Sequence, residues 1–386
     1  MLLLNKQIAI IGGGPGGLTL ARLLQLKGAN VKVYERDLNK DARIAGSPLD
    51  MHEGSGMAAI SEAGLMKELK NNFSPGADKK VITDEKAKIL FSDHDTGLNE
   101  DIENGSFNPE IDRVRLRKIF LDSLQPATVN WDSHFMSMET QNGGWLLHFK
   151  NGTSAHADLV IAADGANSKI RPYITNTKSF YVGITMVEFN VPNAKKSAPN
   201  IYKLLQGGKI MAFAYQKCIL GGQKGNGELG FYASFKPGEN WATESGIDFT
   251  NKAQLLQWFK NEYTDWSDIW YEVIENTTHP VIPRPIYCMP LNQTWNTKPN
   301  VTMLGDAAHV MPPFAGEGAN MAMLDALILS ECLTSGKYHT LYDAISSYEA
   351  GMCKRASAAA KRSLENGERM HSENALAKML AVFAQR

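Results

Sequence analysis

The chain has 386 residues, 43% hydrophobic and 21% charged, with 40 lysines and arginines against 41 aspartates and glutamates. That size and balance suit a soluble enzyme of two domains, without a basic surface for nucleic acid or the roughly 20-residue apolar stretch that crosses a membrane. Four scattered cysteines (Cys218, Cys288, Cys332, Cys353) form no CxxC pair, which argues against a disulfide framework or a metal site and for a reducing, cytoplasmic setting.

Met1-Leu2-Leu3-Leu4 is too short for a secretion signal and leads into Gln7–Ile11, an apolar run that reads as a buried strand. Gly12-Gly13-Gly14-Pro15-Gly16-Gly17 fits G-x-G-x-x-G, and a helical pattern follows until Gly28. Val31–Tyr34 predicts a second strand ending in Glu35, some twenty positions after Gly12. In such a unit Gly12 makes the tight turn, Gly14 admits a pyrophosphate and Gly17 lets the helix pack on the sheet. Glu35 accepts from ribose hydroxyls and disfavours a 2′-phosphate, so the tenant is FAD or NAD rather than NADP.

Residues 41–50 read as a polar loop, and Gly54 to Leu69 as helical. Residues 73–104 are irregular, with a hairpin at Lys80–Thr83 and Lys88–Phe91. Ile111–Leu121 opens a helix carrying Arg113, Arg115 and Arg117; three arginines at spacing two cannot all face one ligand, and Arg115 and Arg117 are the better candidates for surface ion pairs. Trp145–Phe149 and Ser154–Ala157 alternate as exposed strands. Asp158–Ala163 predicts a buried strand running into Asp164-Gly165, where glycine permits close approach and the acid either caps the next turn or meets a ligand. From Tyr181 to Pro237, β-rich runs separated by glycines predict an inserted antiparallel sheet, with Gly221–Gly227 as a hairpin loop. Ala253–Tyr263 predicts a helix with Leu255, Leu256, Trp258 and Phe259 toward the core.

Asn300–Leu304 predicts the strand before Gly305-Asp306-Ala307-Ala308-His309, and a helix runs from Met321 to about Cys332. Between them lie Pro312-Pro313, Phe314 and Gly316-Glu317-Gly318-Ala319-Asn320. A helix opening rich in glycine brings backbone N–H groups and partial positive charge to a ligand, and Asp306 at the strand end can hold sugar-like hydroxyls. Together these read as a platform for the polyol and ring of a flavin. His309 reads as a histidine satisfied by backbone groups, and the Glu317 side chain is expected to point away from an anionic flavin. Leu341 to about Ala384 looks mostly helical, expected to pack internally and bridge the domains, with a membrane-surface helix as the alternative.

Gly12 to Glu35, Asp164-Gly165 and Gly305-Asp306, in that order, resemble the class A flavoprotein monooxygenases, the aromatic-hydroxylase family with the para-hydroxybenzoate hydroxylase fold. Val33–Asp37, Ala42–Ile44, Leu49-Asp50, Asn108–Ile111 and Gly305–Gly316 look like the tetracycline-inactivating branch. The resemblance spans essentially the whole chain. It implies an α/β fold with a discontinuous Rossmann-like FAD-binding domain (1–178 and 280–335), an inserted antiparallel β-sheet substrate domain (179–279) and a C-terminal helical segment (336–386). It implies tightly bound FAD, transient NADPH or NADH, and O2 as co-substrate. Glu35 and Arg36 would flank the adenosine, Asp50 and Arg113 hold the FAD, Asp306 meet the ribitol, and Arg43 meet the incoming NADPH. Gly12, Gly14, Pro15, Gly17, Asp164, Pro313, Gly316, Gly318, Ala319 and Asn320 complete the cofactor set.

In this family oxygen is delivered from a flavin C4a-hydroperoxide, so no side chain is assigned as catalytic. The expected product is a hydroxylated phenolic or enolic polycycle, with tetracyclines leading and another phenolic metabolite as the alternative. A non-catalytic flavoprotein that sequesters a ligand is the rival of a different class. Expected substrate contacts are Met186, Lys209, Phe213, Leu220, Phe314 and Met370, with Tyr215 and Phe231 as further walls. Met186, Lys209 and Gly230 stand where the tetracycline-inactivating enzymes are expected to carry a glutamine, an arginine and a histidine, a loss of polar anchors that weakens that substrate. A monomer binding only small molecules is expected.

Overall fold

The computed structural model describes residues 2–42, 48–97, 108–224 and 227–384. Its principal elements in chain order are β1 (Gln7–Ile11), α1 (Pro15–Leu26), β2 (Asn30–Tyr34), α2 (Ala58–Glu62), α3 (Met66–Asn72), β3 (Lys80–Thr83) and β4 (Ile89–Ser92). Next come α4 (Arg113–Ser123), β5 (Val129–Asn130), β6 (Phe135–Gln141), β7 (Gly144–Phe149), β8 (Ser154–Ala157), β9 (Leu159–Ala162) and β10 (Phe180–Val191). β11 (Lys209–Ala214), β12 (Lys217–Gln223), β13 (Leu229–Phe235), α5 (Lys252–Glu262), β14 (Thr278–Cys288) and β15 (Val301–Met303) follow. The chain closes with α6 (Asp306–His309), α7 (Gly318–Thr334), α8 (Leu341–Met370) and α9 (Ala375–Ala384).

The chain forms two compact units, each assembled from three segments. The first comprises Met1–Phe73, Arg113–Phe180 and Cys288–Ser363. Its five-stranded sheet has the order β15-β9-β1-β2-β5, with every pair parallel. Ile8, Ile10, Val160, Ile161 and Val301 are almost fully buried, as expected for a parallel sheet covered on both faces. Pro15 starts α1, its fixed φ suiting the first helical position, and Gly28 at φ +78° follows its end. A three-stranded antiparallel sheet, β8-β7-β6, belongs to the same unit. β7 and β8 were expected as exposed strands, but Leu147 and Phe149 are buried in the core and Phe149 stacks on Tyr34. The region expected as one helix from Gly54 to Leu69 is broken at Gly64, φ +71°, into α2 and α3 after a π turn at Glu53–Met57.

The second unit comprises Ser74–Asp112, Tyr181–Tyr287 and Leu364–Arg386. It is built on a seven-stranded sheet of order β14-β10-β13-β12-β11-β3-β4. This unit is larger than residues 179–279, because β3 pairs parallel with β11 and draws Ser74–Asp112 into it. At the other edge, β14 carries Pro280, Pro283 and Pro285, which hide a strand in the sequence but suit an edge that needs few N–H donors. Gly221 and Gly222 are not a loop: β12 runs to Gln223, and Gly221 stands opposite Phe231 in the register. A Cβ on Gly221 would lie 2.4 Å from that ring, so glycine here admits an aromatic side chain. The core packs α5 and its Leu255, Trp258 and Phe259 against Val187, Phe189, Ile219 and Phe231. The C-terminal segment divides within α8, with residues through Ser363 in the first unit and the rest in the second. Among the described residues no helix is long and apolar enough to cross a membrane.

Candidate cofactor site

The glycine turn after β1 imposes three different demands. Gly12 has φ +112°, and a Cβ there would lie 2.2 Å from the Ala163 carbonyl oxygen. A Cβ on Gly17 would lie 2.1 Å from the Gly12 oxygen, so α1 packs against the turn backbone to backbone. Gly14 is extended (φ −80°, ψ −179°), and among the described residues nothing lies within 4 Å of a Cβ built on it. No atom of the described residues forbids a side chain at Gly14; the open space suits close approach of a ligand to the first turn of α1. Beside it lies a cavity of about 190 Å³ lined by Gly14, Pro15, Lys40, Asp41, Arg113 and Arg117, among others.

Glu35 is buried, its Oε2 accepting from Gly13 N–H (2.5 Å) and its Oε1 from Asp37 N–H (3.0 Å). It therefore shapes the glycine turn itself, besides standing where a ribose is expected. Arg117, expected as a surface ion pair, is instead 7% exposed. Its guanidinium donates to Gly13 O (3.4 Å), Lys40 O (3.2 Å) and Asp37 Oδ2 (2.9 Å) and lies over the Trp131 ring. Helical spacing was the available signal, since Arg113 and Arg117 are four apart and share a face. Arg113 and Arg36 are exposed. Arg43 lies outside the described residues.

The second part of the site is the strand-to-helix crossing after β15. Gly305 has φ +59° and Asp306 begins α6. Asp306 is exposed, yet loss of hydration raises its carboxyl above the ordinary range, opposed by His309, Arg113 and Arg171. A side chain both accessible and surrounded by protein lies on the floor of a recess, not on a convex surface. Arg171, to which no role was assigned from sequence, ties this crossing to the Asp164 turn. It donates to Ala307 O (2.7 Å), Asp306 O (2.9 Å) and Ala166 O (2.9 Å). Asp164 Oδ2 accepts from Lys169 N–H (2.9 Å), which is the cap-like role, while its Oδ1 is buried with no hydrogen-bond partner among the described residues. Burial raises this carboxyl above its usual range. Gly165 follows at φ +83°.

The third part opens α7. Gly316 has φ +67°, and a Cβ there would sit 3.0 Å from both carboxylate oxygens of Asp50. Asn320 is fully buried and its side chain is engaged by the protein: Oδ1 accepts from His52 N–H and Gly56 N–H, and Nδ2 donates to Asp50 O and Gly316 O. Any contact of Asn320 with a ligand therefore runs through its backbone. The first turn of α7 closes at Met321 N–H to Glu317 O, so the amides of Gly318, Ala319 and Asn320 precede the helix's own bonding pattern. A Cβ on Gly318 would lie 4.0 Å from Asp306 Oδ1, which brings helix opening and acid together. Pro313 is exposed and Phe314 half-buried. The Glu317 side chain is held by Arg362 at 2.7 Å.

His309 is not satisfied by backbone groups, as had been expected. Its Nε2 lies 2.5 Å from Asp325 Oδ2, and its buried Nδ1 has no hydrogen-bond partner. Burial alone would lower the imidazole's pKa, but the Asp325 charge and hydrogen bond, with Asp306, outweigh it and raise the value above the ordinary one.

An unpartnered buried acceptor on Asp164, open space at Gly14 and a run of helix-opening amides fit a ligand that brings hydroxyl donors, a pyrophosphate and carbonyl acceptors. FAD has all three.

The expected substrate contacts other than Phe314 lie in the second unit. In the register, Met186, Ser234, Cys218 and Phe213 form one cross-strand row. Lys209 and Leu220 share that face, opposite the one carrying Val187, Phe189, Ile219 and Phe231. Phe231 thus belongs to the other face, in the aromatic core. Met186, Phe213 and Met370 are buried, whereas Lys209 and Leu220 are half-buried and Tyr215 is exposed. Burial has a local cause: His371, next to Met370, sits on this face with Nε2 2.8 Å from Ser234 Oγ. Lys209 pairs with the buried Glu110.

A parallel sheet whose central strand feeds a glycine turn, with acids at two further strand ends, defines a dinucleotide-binding protein of the flavin kind. Residues 5–363 match the model of the FAD binding domain family, so the chain belongs to that family, and it is an FAD-dependent enzyme of the class A flavin monooxygenases. Similar proteins include Monooxygenase penA of Penicillium thymicola, 26% identical with 95% of this chain and 96% of that protein covered. The 6-hydroxynicotinate 3-monooxygenase of Pseudomonas fluorescens is 24% identical, covering 94% and 91%. Among solved structures, Klebsiella pneumoniae HpxO complexed with FAD and uric acid is 19% identical, with a TM-score of 0.76 over 99% of this chain and 92% of that one. Tetracycline destructase Tet(55) is 18% identical, with a TM-score of 0.77 over 100% and 96%. At these identities the solved structures establish the fold.

Proposed function

We propose that the protein consumes NAD(P)H and O2 to hydroxylate an electron-rich phenolic or enolic polycycle, with tetracycline-type compounds as the leading substrates. The observation that carries the reading is the gathering, within the first unit, of the open Gly14 cradle, the recessed Asp306 and the unpartnered oxygen of Asp164. In this reading the first turn of α1 and Arg113 take the pyrophosphate, Glu35 the adenosine ribose, and Asp306 a ribityl hydroxyl. The amides of Gly318, Ala319 and Asn320 face the pyrimidine edge, where donors at a helix start favour growing negative charge. Arg43 is assigned to the incoming pyridine nucleotide on resemblance alone. FAD, when bound, supplies the electron transfer and oxygen activation. The chain binds, orients and excludes water.

The tetracycline assignment is supported by the sequence resemblance in the cofactor-facing segments. A second reading, hydroxylation of another phenolic metabolite, is favoured by Met186, Lys209 and Gly230, which leave the shared sheet face without the polar anchors a tetracycline edge would use. The purified yellow protein would be screened by mass spectrometry for products gaining one oxygen atom, across tetracyclines and simple phenols, while NADH and NADPH oxidation is followed. Oxygen addition to tetracyclines supports the leading reading, and addition only to phenols replaces it by the second. No oxygenated product and no ligand-stimulated NAD(P)H oxidation would leave a ligand-sequestering flavoprotein.

A further inference from the structure

Asp325 lies inside α7 and is 1% exposed, among Met321, Met323, Ala326 and Leu329. Burying a carboxylate in such company is unfavourable unless it is paired and hydrogen-bonded, and no feature of helix formation asks for one here. Its partners show what it does. Oδ2 accepts from Gly305 N–H at 3.1 Å and lies 2.5 Å from His309 Nε2, while Oδ1 lies 3.4 Å from Arg355 Nη2. Gly305 and His309 are the two ends of the turn that carries Asp306, and they are joined directly by His309 N–H to Gly305 O at 2.8 Å. One carboxylate thus grips both ends of the turn, and Arg355 on α8 steadies it.

We propose that Asp325 is a positioning residue for the cofactor: by holding Gly305 and His309 it fixes where the Asp306 carboxylate stands to receive a flavin hydroxyl. The inference rests on the reading of Asp306 as a cofactor ligand and deepens it. Charge follows the same geometry. His309 is faced by Asp325 from α7 and by Asp306 from its own turn. Asp325 in turn meets Arg355 and the Tyr348 phenol on α8, and Asp306 meets Arg113 and Arg171. Held by Asp325, His309 binds its proton more tightly than a free imidazole, and in its protonated form it is a counter-charge to Asp306 that favours the ionised carboxylate. Without the Asp325 charge and hydrogen bond, burial pulls the pKa of the same imidazole down.

The test uses apoprotein freed of FAD and titrated with FAD by flavin fluorescence from pH 5.5 to 9, for wild type, Asp325→Asn and Asp306→Asn. Both variants are expected to weaken FAD binding about tenfold at pH 7, the loss of a charge-assisted hydrogen bond. Wild-type affinity should hold to above the ordinary histidine range and then fall as His309 loses its proton, while in Asp325→Asn the fall moves below pH 6.5. NMR titration of the His309 imidazole in apoprotein should show the same displacement, which a merely structural role would not produce. Wild-type affinity and pH profile in Asp325→Asn, with weakened Asp306→Asn, would overturn the positioning role and leave the cofactor reading intact. Unchanged affinity in Asp306→Asn would overturn the reading on which it rests. Should Asp325→Asn fail to fold, His309→Gln reads the same pair: it should abolish the pH-dependent step, and a surviving step would count against the inference.

Discussion

Gly14 and Gly17 belong to one motif but answer to different atoms. Gly17 is constrained by the Gly12 carbonyl, Gly14 by nothing among the described residues. Gly17→Ala should therefore destabilise the apoprotein, by about 1–3 kcal/mol or more for an overpacked site. Gly14→Val should change apoprotein stability by less than about 0.5 kcal/mol while weakening FAD binding at least about tenfold. Melting curves and FAD titrations of the two apoproteins separate the effects; a Gly14 variant that binds FAD normally would remove the ligand from that cradle. Arg117→Ala breaks a buried pair with Asp37 and should lose about 3 kcal/mol, whereas Arg115→Ala should stay within about 0.5 kcal/mol in the same denaturant melts. At this scale sequence and structure diverge most where a polar group's partner is distant in the chain. Asp325 and Arg117 bond residues that no local pattern links to them, and a spacing of two among three arginines said little without the helical face.

At the level of elements, strands and helices with a clean apolar period were legible: β1, β2, β9, α5 and α7 lie close to where periodicity puts them. The elements that escaped share a cause. β14 is punctuated by prolines, β6 is short of apolar residues, and β12 contains two glycines, so each is made a strand by its neighbours in the sheet. The end of α8 shows how such a sheet is held. His371 is fully buried, bonded to Ser234 Oγ and through Nδ1 to Gly367 O, and burial lowers its pKa to about 4. The unfolded chain takes up this proton near pH 6.5 and the folded one does not, so the unfolded state binds more protons between about 6.5 and 4. Stability should fall across that window as the medium is acidified, by on the order of 3 kcal/mol from this residue, and remain level below it. Thermal melts at pH 7 and 4.5 should show this component disappearing in His371→Asn. An unchanged acid slope in that variant would assign it to other groups.

At the scale of the molecule, the sequence suggested one inserted block, and the structure instead assembles the second unit from three pieces of chain. Nothing in residues 74–112 announces that β3 will find β11, because pairing partners more than a hundred residues apart leave no local mark. The last piece matters as much. Phe383 lies tilted against Phe91 and under Lys80, and His371 reaches Ser234 and Cys218, all within that unit. Ending the chain at Ser363 should uncover the sheet face bearing Met186 and Phe213, making residues 181–287 the first to be cut in limited proteolysis followed by mass spectrometry. Equal protease resistance of full-length and shortened chains would show that the segment merely decorates the unit.

The four cysteines carry a final consequence. Burial pushes the Cys218 thiol up to about 12 and those of Cys288 and Cys353 to about 11, and Cys332 is raised as well. With only the thiolate reactive, about one molecule in ten thousand exposes that form at pH 7 for a thiol at 11. An enzyme that activates oxygen must survive whatever peroxide escapes when no substrate intercepts it. Its sulfhydryls are kept in the form that peroxide attacks least.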